Sequence, residues 1–203
     1  LKLISPSQVQ QAIQFVDSRI AEMPENEQID ARLKFAESLR KLTRLDNSYL
    51  SNAQKQSQVA LKLSQQSKNS IATSRAMGQS GRIFLQNSEI GKATIAFEQA
   101  QSVALSYRAL DLAYQWEWEL GKIYAKAGDT RAMSQYKAAV DNLNELRKNL
   151  IAINPDLQFG FQAQVEPLYK EYLELLFKEK QPDLEEIIKT NEKVQVTELE
   201  NYL

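Results

Sequence analysis

The side chains best placed to do chemistry are a tight cluster, Trp116-Glu117-Trp118-Glu119, a second carboxylate pair, Glu185-Glu186, and scattered cations between Arg75 and Lys126. Paired carboxylates serve acid–base and two-metal chemistry when they converge on one point. On a helix they diverge: neighbours point about 100° apart and residues two apart about 200°. Glu117 and Glu119 therefore face different ways, and so do Trp116 and Trp118. One tryptophan is expected inside the helix stack and the other on an open face. The chain contains no histidine and no cysteine. That removes a histidine base, a cysteine nucleophile, zinc sites built from those ligands, the Glu-x-x-His motif of di-iron bundles and any disulfide. There is also no glycine-rich phosphate loop and no Gly-x-Ser-x-Gly elbow. The expectation is a chain that is not an enzyme, with no catalytic residue, metal or cofactor.

Side chains that do not catalyse still recognise, and charge says what. The 203 residues carry 25 Lys+Arg and 26 Asp+Glu, a net charge of -1. The distribution is uneven: residues 51–110 carry 7 basic and 2 acidic side chains, residues 161–203 carry 5 basic and 10 acidic. The acidic end either folds back on the basic middle or forms a solubilising cap. The basic middle holds many serines and glutamines, among them Gln54, Gln56, Gln58, Gln65 and Gln66, and lacks clustered cations interleaved with aromatics. Nucleic acid is therefore not an expected partner. No apolar run approaches the ~18 residues of a membrane span, so no membrane partner is expected either. The chain opens at Leu1 rather than Met and shows no signal peptide; a leader could precede it, and the cytoplasm is the favoured compartment.

The elements that position these residues read as helices throughout. Hydrophobic residues make up 43% of the chain, enough for a real core, while Gly (6) and Pro (5) are scarce and fall between amphipathic stretches. Ser5-Pro6 reads as a helix start with Gln8 completing a capping box, followed by Val9, Ile13, Val16 and Ile20 at helical spacing. Pro24 separates this helix from the next, which carries Ile29, Leu33, Ala36, Leu39 and Leu42. Asn47-Ser48 and Lys68-Asn69-Ser70 read as connections, Ser88 and Asp129 as N-caps, and Asn154-Pro155 and Pro182-Asp183 as further boundaries. Thr197 and Glu200 form a capping box that predicts a fresh helix at the chain's end. No alternating segment exceeds Val194-Gln195-Val196. The expected fold is all-α, with about nine or ten helices joined by short loops.

Self-comparison then shows a repeat. Ala93, Phe97 and Ala100 recur as Ala132, Tyr136 and Ala139, and as Ala53, Ser57 and Ala60 with serine at the aromatic place. Gly81-x-x-Phe84 recurs as Gly121-x-x-Tyr124, 40 residues on, while Lys41 stands where an earlier glycine would fall. Small residues let helices approach closely, and the aromatics fill the holes between them. A period near 40 with this pattern predicts tetratricopeptide-like (TPR-like) antiparallel helix pairs, an α-solenoid with longer second helices than the 34-residue repeat. The expected organisation is N-terminal helices with a degenerate repeat over 1–69, two repeats over 70–153, and capping helices over 154–203.

Further motifs keep a specific order: Ala113-Tyr-Gln-Trp116-Glu-Trp118-Glu-Leu-Gly121, Leu143-x-x-Leu146-Arg147, Ile151-Ala-Ile-Asn154-Pro155-Asp156-x-Gln158-Phe159-x-Phe161, and Val165-Glu166-Pro167-x-Tyr169. From about Ile71 to Phe177 the chain resembles the TPR stretch that precedes the CHAT domain, a caspase-like fold, in large cyanobacterial-type CHAT/TPR proteins. The resemblance implies an interaction array attached to a protease-like domain. Glu198-Leu-Glu-Asn-Tyr202 resembles the junction into that domain, whose catalytic His and Cys would lie downstream.

In TPR-like geometry, fixed positions of each first helix line a concave groove. Here they are Gln115, Trp118, Lys122, Ala125 and Lys126, and one repeat earlier Arg75, Gly78, Arg82, Leu85 and Gln86, with Arg40 and Arg44 as a possible extension. The expected partner-binding residues are Arg75, Arg82, Gln86, Gln115, Trp118, Lys122 and Lys126, with Trp118 as an exposed anchor. Such a strip suits a protein or peptide partner bearing carboxylates. The plainer reading is a set of solvated helix charges in i,i+4 pairs. Two functions follow: a non-catalytic module that binds a peptide or partner protein in its groove, or a structural scaffold that packs on its own CHAT domain or on a second copy.

Overall fold

The computed structural model describes residues 6–43, 46, 48–153 and 162–200. These form nine helices, α1 (Pro6–Ala21), α2 (Glu25–Leu42), α3 (Ser48–Gln66), α4 (Ser70–Gln86), α5 (Ile90–Ser106), α6 (Leu110–Ala127), α7 (Arg131–Ile153), α8 (Gln162–Lys178) and α9 (Leu184–Glu200). No strand occurs among the described residues, and Val194-Gln195-Val196 lies inside α9. Helices pack on their chain neighbours, α2 on α3, α3 on α4, α6 on α7, α7 on α8 and α8 on α9. That is the packing of an all-α helical repeat.

Most boundaries follow local chemistry. Asn69 caps α4 by accepting the Ala72 N–H at 3.0 Å, Asp129 accepts the Arg131 N–H at 2.9 Å, and Asp183 accepts the Glu186 N–H at 3.1 Å. Each satisfies an orphan donor of a first turn. Three expectations are corrected. Ser88 is not an N-cap: it lies at φ 61 in the turn that ends α4, and α5 begins two residues later. No helix starts at Thr197, because α9 runs unbroken from Leu184 to Glu200. Pro167 lies within α8 rather than between helices. It is the sixth residue of that helix, past the four positions whose N–H groups have no helical acceptor, so it removes one backbone bond and its ring crowds the carbonyl four residues back. The boundaries read at Ser5, Asn47 and Asn154-Pro155 fall outside the described residues.

The turns carry a period the residue types conceal. Lys68, Ser88, Arg108 and Gly128, each 20 residues from the next, all take left-handed backbone angles (φ 54, 61, 51 and 68). After each, an N–H reaches the carbonyl five residues back at 2.9 Å: Asn69 to Ser64, Glu89 to Phe84, Ala109 to Ala104, Asp129 to Tyr124. This is a Schellman closure, which glycine favours because a Cβ is strained there. Two such units make the 40-residue repeat. The extra length is therefore shared between first and second helices, α4 and α5 having 17 residues each, rather than lying in the second alone. Lys68→Gly and Ser88→Gly are each expected to stabilise the chain by about 0.5–1 kcal/mol, and Gly128→Ala to cost about 1 kcal/mol. Thermal melts by circular dichroism check this; unchanged midpoints contradict it.

The repeated triads occupy one buried stripe each. Ala53, Ser57 and Ala60 on α3, Ala93, Phe97 and Ala100 on α5, and Ala132, Tyr136 and Ala139 on α7 are all buried. Where serine replaces the aromatic, Ser57 Oγ lies 2.9 Å from Ser80 Oγ, so its hydroxyl is satisfied. The chain divides into two compact units, Leu1–Ala96 and Phe97–Leu203. The first has small apolar clusters around Ile29, Leu33, Ala60 and Ala76, and around Ile13, Leu39, Ala53 and Ile83. The second has a larger core of α6–α9 side chains, including Tyr136, Leu143, Leu168, Tyr169 and Tyr172.

Candidate interaction surfaces

Within the first unit, the α4 cations face acids of α2. Arg75 Nη1 lies 2.6 Å from Asp30 Oδ1. Gln86 Nε2 donates to Thr43 Oγ1 and to the Arg40 carbonyl at 3.3 Å, tying α4 to the end of α2. Glu37 accepts from Arg40 at 2.8 Å and from Gln79 at 3.1 Å. Burial pushes the Glu37 carboxyl up, but these bonds and the charges of Arg40 and Arg82 outweigh it and hold it at about 2. Gly78 is buried rather than open. The α4 part of the predicted strip, Arg75, Arg82 and Gln86, therefore lies beside an acidic α2 and serves helix-to-helix pairing. Arg40 belongs to the same network, and Arg44 lies outside the described residues.

The α6 part lies in the second unit. The two tryptophans diverge as their spacing requires. Trp116 is 2% exposed and stacks on Phe97, with ring centroids 6.0 Å apart. Trp118 is only partly exposed, which corrects the expectation of an open anchor. Its ring packs on the α6–α9 core, and its Nε1–H donates to Glu171 Oε2 on α8 at 2.6 Å. Tyr136 donates its hydroxyl to the same oxygen at 2.8 Å. Burial and the Glu171 charge push the Tyr136 hydroxyl well above its usual range. Lys122 Nζ sits 4.7 Å above the Trp118 ring and 2.7 Å from Glu119. Gln115 donates to the Asp111 carbonyl, Ala125 packs on the core, and Lys126 is exposed. Half-exposed along α6 are thus the Trp118–Lys122 cation–π pair and the Glu119 that pairs with Lys122, with the exposed ammonium of Lys126 one turn on.

Glu117 does something else. It is 1% exposed, and both its carboxylate oxygens accept from Asn142 Nδ2, at 2.9 and 2.8 Å. Desolvation raises its pKa; hydrogen bonds from Asn142 and Gln101 only partly offset this. A carboxyl whose folded pKa lies above its unfolded value favours the fold when protonated, so its contribution is complete below about pH 4.5 and is lost as pH rises through the folded pKa. Glu117→Gln is expected to raise the Tm at pH 8 by about 2–4 °C, the shift that ~1 kcal/mol brings in a chain this size, with the gain vanishing near pH 4. An equal gain at both pH values contradicts this.

Among the described residues no cluster of acidic side chains suits a metal ion, and no helix is long and apolar enough to cross a membrane. A polar cleft of about 460 Å³ between α7 and α9 is lined by Lys137, Asp141, Glu186 and Lys189, whose charges pair with one another and with Glu185. Sequence reading missed Glu171 as the partner of Trp118 and Tyr136, and Asp30 and Glu37 as partners of α4. Nothing in residue spacing links positions 53 apart; the only signal was the acidic excess after residue 161. Compared with known proteins, the chain matches no protein-family model and no curated protein.

Proposed function

We propose that the chain is a non-catalytic protein-interaction module built on a TPR-like helical repeat, and that it engages a carboxylate-bearing peptide or partner protein along α6. The observation that carries this reading is the half-exposed stripe of α6, where Lys122 lies over the Trp118 ring and the exposed Lys126 follows one turn on. An aromatic face beside two ammonium groups receives a carboxylate and the apolar stem that bears it. Arg75, Arg82 and Gln86 then act as internal supports of α2 and α4 rather than as ligand contacts. Calorimetry with a hexaglutamate peptide tests the site: Trp118→Ala and Lys122→Ala are expected to weaken binding at least tenfold, and Lys126→Ala several-fold. Unchanged affinity in all three rejects the α6 stripe.

A second reading is favoured by one contact. Glu171 of α8 already occupies the indole N–H of Trp118. In this reading the acidic end folds back on α6 and the chain is a structural scaffold without a dissociable ligand. The resemblance to the region before a CHAT domain supplies a larger context for either reading, an array that positions a protease-like domain. Absence of hexaglutamate binding together with full stability favours the scaffold.

A further inference from the structure

The cleft between α7 and α9 is bordered by polar groups that the fold leaves without partners. Its volume of about 460 Å³ is that of a small-molecule site. Thr190 of α9 is 2% exposed and lines the cleft, and among the described residues its hydroxyl has no hydrogen-bond partner. A threonine within a helix can bond the carbonyl one turn back; this one borders open space instead. Asn144 of α7 accepts the Tyr169 hydroxyl of α8 on Oδ1 at 2.9 Å. Both hydrogens of its amide nitrogen are then without a partner among the described residues. Unpaired polar groups in the walls of a cleft call for water or a polar ligand.

The charges around these groups are ordered along the cleft. Three lysines and three acids line it, so its formal charge is zero. At one end Asp141 and Glu186 share a single ammonium, Lys137 Nζ, at 3.6 and 3.5 Å. Charge-assisted bonds run about 2.7–2.9 Å, so neither carboxylate is tightly held by it. Glu186 also accepts the Tyr172 hydroxyl of α8 at 3.2 Å. Seven residues beyond Lys137 and Glu186, on the same two helices, stand Asn144 and Lys193, whose N–H groups donate. Lys189 is held by Glu185 at 2.6 Å, and Glu192 points about 100° away from its neighbour Lys193. Tyr172 and Tyr169, bonded to Glu186 and Asn144, are one turn of α8 apart, and Lys193 lies two turns past Glu186. The carboxylate end and the donor end are therefore about 5–10 Å apart, with the Thr190 hydroxyl between them.

We propose that this cleft binds a small zwitterion, a short peptide with both termini free. Its ammonium lies between Asp141 and Glu186, its carboxylate meets Asn144 and Lys193, and its peptide group bonds to the Thr190 hydroxyl. An extended dipeptide spans about 7 Å, which matches the separation of the two ends. A simple anion meets the carboxylates at one end and a simple cation meets the donors at the other, so the lining selects a molecule that carries both charges. The cleft shares no residue with the α6 stripe, and the inference does not rest on the function proposed for that stripe.

Titration of glycylglycine into the full chain, followed by heteronuclear NMR, tests it. The expected result is a set of saturable shifts centred on residues 137–144 and 186–193. N-acetylglycylglycine and glycylglycine amide, which each lack one terminal charge, should bind at least about tenfold more weakly. Thr190→Val should weaken glycylglycine about fivefold, and Glu186→Gln by at least as much. The valine variant should also melt no lower than the unaltered chain, because the hydroxyl it removes has no partner to lose. No saturable shift means that water alone fills the cleft and overturns the inference. Equal binding of the end-blocked peptides overturns it too, and affinity unchanged in both variants rules out this cleft as the site.

Discussion

Gly121→Val is expected to lower the stability of the second unit by at least about 3 kcal/mol, and Gly121→Ala by about 1–2 kcal/mol. A Cβ at this position would stand 2.8 Å from Tyr136 Cδ2 and 2.9 Å from Cε2, closer than a methyl and a ring carbon approach. The ring has little room to retreat, since Tyr136 is 3% exposed and its hydroxyl is held by Glu171. Overpacking of a core typically costs 1–3 kcal/mol, roughly 1 kcal/mol of which alanine recovers through better helix propensity. Valine adds a branched stem and recovers less. Both tryptophans of the chain, Trp116 and Trp118, lie in this unit, so urea unfolding followed by tryptophan fluorescence reports on it selectively. Midpoints within error of the unaltered chain contradict the close packing of α6 on α7.

Glu171→Ala is expected to cost about 2–3 kcal/mol, close behind. The substitution leaves two donors, the Trp118 indole N–H and the Tyr136 hydroxyl, without their shared acceptor. Bonds to a charged acceptor contribute more than neutral ones, and an orphaned donor loses its solvation as well. Glu171→Gln keeps one acceptor oxygen and should lose about 1 kcal/mol. An independent readout accompanies the stability loss. Burial and the Glu171 charge together push the Tyr136 hydroxyl up, so removing the charge brings its titration back toward the ordinary tyrosine range. Ultraviolet titration of tyrosinate detects that return. No change in either readout rules out Glu171 as the link between α8 and the α6–α7 pair.

Helices were readable from sequence wherever period and punctuation agreed. Apolar spacing placed α1 and α2, and Asp129 and Pro182-Asp183 marked boundaries, while Asn69, read only as part of a connection, is a cap as well. The alanine–aromatic–alanine triads were readable because burial beside a neighbouring helix restricts residue size. The turns were harder. Lys68, Ser88 and Arg108 take a backbone conformation that glycine signals, yet only Gly128 advertises it. Ser88 consequently read as a cap. The predicted binding strip was legible as a charge pattern but not as a surface. Residue spacing places Arg75 and Trp118 on their helices; it does not say that Asp30 and Glu171 arrive from elsewhere to meet them. Arg32 and Asp17 escaped notice for the same reason, being an ordinary arginine and aspartate until the fold buries one against the other.

The central claim is that a glycine notch receives an aromatic ring where consecutive helices meet, and a double-mutant cycle on Gly121 and Tyr136 tests it most directly. In the unaltered background Gly121→Ala should destabilise by about 1–2 kcal/mol. In a Tyr136→Ala background, where the ring that fills the notch is gone, the same substitution should be neutral or stabilise by up to about 1 kcal/mol through helix propensity. A penalty of equal size in both backgrounds would mean that the notch and the ring do not meet, and the account of how these helices pack would fail.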